Sequence, residues 1–157
     1  MIEYLKKDIT TVTEGVIAHG VNCKGAMGSG VAGALRRKYP QIFTRYSNIC
    51  EMYAKNSDWM LGMVDVVEVC TENEPILLVA NCFTQDNYGR EGKRYADPDA
   101  VKRSIITAVQ VATGLAVPFY MPKIGCGLGG LSWEDEIEPI IQNISDAYNT
   151  TIYVCDI

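Results

Sequence analysis

The sequence predicts an α/β protein, a three-layer α/β/α sandwich, and three observations predict it. β-rich runs and helical stretches alternate along most of the 157 residues, the pattern of helices packed on both faces of a sheet. The run Val16-Ile17-Ala18-His19-Gly20-Val21 is almost continuously apolar, as a strand covered on both faces must be. Two glycine-rich segments each follow a strand and precede a helix, the place where open α/β sheets bind ligands.

Residues 2–5 read as the first short strand and residues 16–21 as the second. From Gly30 to Tyr39 the period becomes helical, with Val31, Ala34, Leu35 and Lys38 on recurring turns and Pro40 closing the segment. A second helix runs from Gln41 to about Lys55. Residues 61–70, with Met63, Val64, Val66, Val67 and Val69, and residues 76–82, with Ile76, Leu77, Leu78 and Val79, are β-rich. The turn Glu72-Asn73-Glu74-Pro75 between them suggests that they are neighbours. Residues 84–96 are polar and long for a structureless connection, a kind that is often functional.

Asp97-Pro98 supplies a cap and a first-turn proline for a helix carrying Val101, Ile105, Ala108 and Ala112. Leu115 to Met121 is the next apolar strand. The last helix begins near Ser132, with Glu134, Asp135 and Glu136 in its first turn and Ile137, Ile140, Ile141 and Ile144 as its apolar stripe. Pro139 should kink or shorten it. Thr151 to Cys155 closes the chain as a strand. No internal repeat or linker divides the sequence, so residues 1–157 are expected to form a single domain.

Apolar residues make up 48% and charged residues 21%, the balance of a globular protein, and the net charge is −5. That charge argues against nucleic acid and acidic membranes as partners. The N-terminus lacks the apolar stretch of a signal peptide and no run reaches transmembrane length, so a cytoplasmic protein is expected. The six cysteines are irregularly spaced without an export signal, which points to reduced thiols. With no Cys-x-x-Cys pair and one histidine, neither a structural metal nor a cofactor is expected.

Backbone N–H groups of a glycine loop that opens a helix converge on one spot and attract phosphate. Gly28, Gly30 and Gly33 in the first loop and Gly125, Gly127, Gly129 and Gly130 in the second leave the backbone free to approach an oxyanion. Two such loops can hold a diphosphate from both sides. Gly28-x-Gly30-x-x-Gly33, with Glu51 roughly 20 residues beyond, also spells a dinucleotide fingerprint. Asn22 to Met27 separate it from the strand, however, and the chain has no room for a separate substrate domain.

Lys7-Asp8-Ile9, then His19-Gly20-Val21-Asn22-Cys23-Lys24-Gly25-Ala26-Met27-Gly28-Ser29-Gly30-Val31-Ala32, then Pro122-Lys123-Ile124-Gly125-Cys126-Gly127-Leu128-Gly129-Gly130-Leu131-Ser132-Trp133-Glu134 resemble the macro domain family in order and spacing over essentially the whole chain. The resemblance is closest to the small members that remove phosphate from ADP-ribose-1″-phosphate. It implies an α/β/α sandwich with a mixed central sheet of about six strands, and ADP-ribose or ADP-ribose-1″-phosphate as the partner of a monomer. It places Asp8 on the adenine amino group with the Ile9 backbone beside it, and Asn22, with Cys23 next to it, near the distal ribose. Lys24 then borders the distal end. Gly28, Ser29, Gly30 and Val31, together with Lys123, Ile124, Gly125, Cys126, Gly127, Leu128 and Gly129, wrap the diphosphate. Asp8 also suits a turn or cap at the strand exit, and both lysines suit a solvated surface.

Hydrolysis of a 1″-phosphate needs a placed water and stabilisation of charge on the transferring group. Asn22 can orient a water or a ribose hydroxyl, and His19 is the one side chain that ordinarily titrates near neutrality, so these two are the candidate catalytic residues. Strict alternation sets them on opposite faces of the strand, so His19 reaches the site only where the strand ends or twists before Gly20. Otherwise it is a packed core histidine. Cys126 lacks a partnering arginine and reads as a packing residue. Tyr88, Tyr95 and Trp133 either cover the ligand or pack.

The related hydrolases that remove ADP-ribose from acidic side chains carry an aspartate where Gly129 stands and a lysine near Thr84-Gln85. Both departures count against that activity here. A module that binds ADP-ribose without turnover, and a hydrolase that removes ADP-ribose from protein or nucleic acid through the open segment 84–96, remain the alternatives.

Overall fold

A computed structural model describes all 157 residues. Six strands, β1 (Ile2–Lys6), β2 (Gly15–Asn22), β3 (Val64–Glu68), β4 (Leu77–Gln85), β5 (Phe119–Met121) and β6 (Ile152–Asp156), form one sheet in the order β1-β6-β5-β2-β4-β3. Only β3 runs antiparallel to its neighbour, so the sheet is mixed as expected. Helices α1 (Gly30–Lys38) and α2 (Gln41–Met52) cover one face, and α3 (Pro98–Leu115) and α4 (Glu138–Tyr148) the other.

The apolar run of β2 shows why. Val16 and Ala18 enter the core shared with α3 and α4, while Ile17 and Val21 enter the core shared with α1 and α2. A strand whose alternate side chains meet two helical layers can keep no polar face. α3 begins as its sequence implies, with the Asp97 carboxylate accepting from Asp99 N at 3.0 Å ahead of Pro98. No helix is long and apolar enough to cross a membrane.

Several boundaries differ from expectation. The strand read at 115–121 shrinks to Phe119–Met121, because α3 continues to Leu115 and stops on a left-handed Ala116. Residues 61–63 turn ahead of β3, and β4 runs on through Thr84 and Gln85. α2 ends at Met52, and a kinked 3-10 segment, Ala54–Met60, takes its place. The last helix begins as expected at Ser132, whose Oγ accepts from Asp135 N at 3.2 Å, but its first turn, Trp133–Ile137, is a π turn. Pro139 has no N–H to give the carbonyl one turn back, so the regular helix starts only at Glu138.

Candidate functional site

β1, β6, β5, β2 and β4 all point the same way, so the segments leaving their C-terminal ends gather along one edge of the sheet. There they enclose a cleft of about 1100 Å3. Asp8 and Ile9 follow β1, Gly28 to Val31 follow β2, Lys123 to Gly129 follow β5, and all of them line it. The two glycine loops, far apart in the chain, bound the same space because β2 and β5 are paired neighbours.

The first loop is closed by Asn22. The pairing register slips between Val21 and Asn22, which turns this buried residue out of the strand's alternation and into the cleft wall. Its Oδ1 accepts from Lys24 N at 2.9 Å and Ala26 N at 3.3 Å, and its Nδ2 donates to Ala26 O at 2.7 Å. Tyr46 Oη, 2.8 Å from both Asn22 O and Asn22 Oδ1, shares its proton between them. One Nδ2 hydrogen remains. Beyond the loop, Ser29 begins α1 without a side-chain cap, leaving the first-turn N–H groups open to an anion. A Cβ on Gly33 would stand 2.8 Å from the carbonyl carbon and oxygen of Gly28, so only glycine lets α1 settle onto its loop.

The second loop folds on itself through Leu131 N donating to Gly125 O at 2.8 Å and Gly130 N to Gly127 O at 3.2 Å. Gly129 is buried there, and a Cβ on it would meet Gly125 O at 2.7 Å. Lys123 Nζ pairs with Asp156 Oδ2 at 3.3 Å in a solvent-exposed ion pair. Cys126 Sγ donates to Ile124 O at 3.3 Å, and burial pushes the thiol up to about 11. It is therefore no thiolate nucleophile near neutrality.

Asp8 serves as both a cap and a cleft residue. Its Oδ1 accepts from Thr10 N at 2.9 Å and from Thr10 Oγ1 at 2.8 Å, capping the 3-10 turn Ile9–Thr11. These bonds hold the carboxyl below its ordinary range and use Oδ1 only, so a charged Oδ2 is left for the cleft.

Of the polar connection expected over residues 84–96, residues 86–96 lie across the mouth and tie both loops together. Cys23 N donates to Asp86 O at 3.1 Å, and Tyr95 N and Ala96 N donate to Gly129 O at 2.9 and 3.0 Å. Thr84, Gln85, Tyr88 and Arg90 thereby join the cleft lining, and so do Lys7 and Asp156. Asp156 and Lys7 carried a legible signal, a charged residue at the C-terminal end of a strand. Arg90 carried none beyond the length of its segment.

Three expected site residues lie elsewhere. His19 is buried on the α1–α2 face, its Nε2 2.6 Å from Asn81 Oδ1. Asn81 Nδ2 donates to Ile42 O at 3.2 Å, which turns Oδ1 toward the ring and fixes the proton on Nε2, while Nδ1 has no partner. Strict alternation decided its face. Cys23 is buried behind the loop, where burial pushes its thiol up to about 12. Lys24 Nζ donates to Ser57 Oγ at 2.7 Å and lies 3.4 Å from Asp86 Oδ1. Both border a separate depression of about 330 Å3, because the loop closed by Asn22 turns them away from the cleft. Of the aromatics, Tyr88 alone lines the cleft; Trp133 is buried, donating to Tyr4 Oη at 3.0 Å, and Tyr95 bonds Glu91.

His19 predicts an acid sensitivity of the fold. Burial holds its pKa at about 4, against an ordinary 6.5. Between these values the unfolded chain binds the proton and the folded one does not, so this contribution is complete above pH 6.5 and drains away toward pH 4. It amounts to about 3 kcal/mol. Urea unfolding of the wild type at pH 7 and pH 5 should show about 2 kcal/mol of this loss, and His19→Gln should lack this component; the same pH dependence in both proteins would refute it.

Residues 18–140 match the model of the Macro domain family. A Candida albicans protein named ADP-ribose 1″-phosphate phosphatase is 33% identical over 98% of this chain and 99% of its own. A Mycobacterium tuberculosis protein named DNA ADP-ribosyl glycohydrolase is 30% identical over 86% of this chain but only 36% of its own. Among solved structures, a macrodomain protein from Streptomyces coelicolor superposes with a TM-score of 0.79 at 27% identity, covering 100% of this chain and 99% of that one.

Proposed function

The chain belongs to the macro domain family, and from that premise we propose that it is an ADP-ribose-1″-phosphate phosphatase, releasing ADP-ribose and inorganic phosphate. The observation that carries the reading is the pair of glycine loops closing on one cleft with the Asp8 carboxylate at its far side. Near full-length similarity to several yeast proteins of that name supports it.

In this reading Asp8 Oδ2 accepts from the adenine amino group beside the Ile9 backbone. The N–H groups around Gly28 to Val31 and Lys123 to Gly129 hold the diphosphate. Asn22 keeps the first loop in shape and offers its remaining Nδ2 hydrogen to the distal ribose or the attacking water. Water oxygen bonds to phosphorus as the bond from phosphorus to the 1″ oxygen breaks, and that oxygen leaves with a proton. A loose phosphoryl transition state asks mainly for positioning and charge stabilisation, which suits a cleft rich in backbone donors from which His19 is absent.

The protein works in this reading as a cytoplasmic monomer. Its net charge of −5 supports a small-molecule partner over nucleic acid. The absence of an aspartate at Gly129 and of a lysine at Thr84-Gln85 weighs against removal of ADP-ribose from acidic side chains. Incubation with ADP-ribose-1″-phosphate is expected to release phosphate and ADP-ribose in equal amounts, with ADP-ribose binding followed by calorimetry. Binding without phosphate release would leave a recognition module instead.

A further inference from the structure

We propose that Arg90 is the specificity residue for the terminal phosphate, contacting the 1″-phosphate at the end of the cleft opposite Asp8. The inference rests on the reading of the cleft given above and follows from the order of the strands. Asp8 leaves β1 at one side, and β6, β5 and β2 separate it from β4. Four strand spacings of about 4.8 Å put the two ends roughly 19 Å apart, the span that an extended ADP-ribose requires. With adenine at Asp8 and the diphosphate between the loops over β5 and β2, the 1″ position arrives at the end of β4. Thr84 and Gln85 end β4 there, and Tyr88 and Arg90, on the span that follows it, line the same cleft.

Among these residues Arg90 alone is charged. Its exposed guanidinium has no carboxylate partner in any ion pair of the structure, and its one hydrogen bond, from Nη2 to Ser29 Oγ at 3.3 Å, directs it at the start of α1 inside the cleft. Of the other cations near the cleft, Lys7 stands at the β1 end beside Asp8, four strands from β4. Lys24 is held outside by Ser57 and Asp86, and Lys123 is paired with Asp156 toward β6. The segment bearing Arg90 is anchored on both sides, at Asp86 to the first loop and at Tyr95 and Ala96 to the second, so the arginine sits on a held span. A guanidinium can give two parallel N–H groups to a phosphate monoester, and the hydroxyl of ADP-ribose itself offers no such partner.

The test compares wild type, Arg90→Ala and Arg90→Lys in kcat/KM for ADP-ribose-1″-phosphate and in the inhibition constant of ADP-ribose. Arg90→Ala is expected to lower kcat/KM roughly 10- to 100-fold, with the inhibition constant held within about twofold and Arg90→Lys in between. An equal loss with both ligands would overturn the proposal, since Arg90 would then grip the shared diphosphate or only hold the span. No loss with either would overturn it too. If the wild type binds both compounds without turning either over, calorimetry supplies the same comparison: a preference for the 1″-phosphate that disappears in Arg90→Ala sustains the role, and no preference removes it. A wild type that binds neither overturns the reading of the cleft, and Arg90's role with it.

Discussion

Replacing Asn22 by alanine is expected to reduce kcat/KM for ADP-ribose-1″-phosphate by about 100-fold or more and to weaken ADP-ribose binding with it. The side chain is the only link between the end of β2 and the amides of Lys24 and Ala26, and its Nδ2 satisfies Ala26 O. Without it these backbone groups lose their partners next to the buried Tyr46, which keeps only the Asn22 carbonyl. Such a deletion costs about 3 kcal/mol, which for a chain of this size is a fall in melting temperature of about 10 °C. Thermal melting, calorimetry and steady-state kinetics on the one variant measure all three effects. Native melting and native affinity together would mean that the loop does not depend on Asn22.

The second large effect is expected from Gly129→Asp, the change that brings the second loop closer to the ADP-ribosyl hydrolases. Instead of conferring their activity, it should lower ADP-ribose affinity roughly 100-fold and destabilise the fold by about 2 kcal/mol. A Cβ there would lie 2.7 Å from Gly125 O, 2.9 Å from Gly125 Cα and 3.0 Å from Ala96 Cβ. Two of those atoms are backbone, so the loop itself must move. Gly129 O also holds Tyr95 N and Ala96 N, and its displacement would release the span across the mouth. Calorimetry with ADP-ribose checks the affinity, and release of ADP-ribose from a peptide modified on glutamate checks the activity. A variant that gains that hydrolysis while keeping its affinity would show that the loop accommodates the side chain.

Much of the site was legible in the sequence because its signals are local. A glycine loop after a strand and before a helix shows in consecutive residues, and both loops line the cleft. What the sequence hid depends on register. That Asn22 enters the cleft wall turns on the slip between Val21 and Asn22, and no residue letter marks such a bulge. Lys24 reads as a cation near a phosphate loop, yet the turn closed by Asn22 carries it to Ser57 and Asp86, partners far along the chain.

By itself, then, the order of residues determined the layers, the six strands and the two places where backbone N–H groups are left open, since each follows from hydrophobic period and backbone freedom within short windows. Tertiary structure alone decided that β2 and β5 would be neighbours, that the polar span after β4 would cross the mouth of the cleft, and that Arg90 rather than Lys24 would line it. These outcomes rest on strand order and on contacts between segments distant in sequence, which are set when two helical layers bury opposite faces of one sheet.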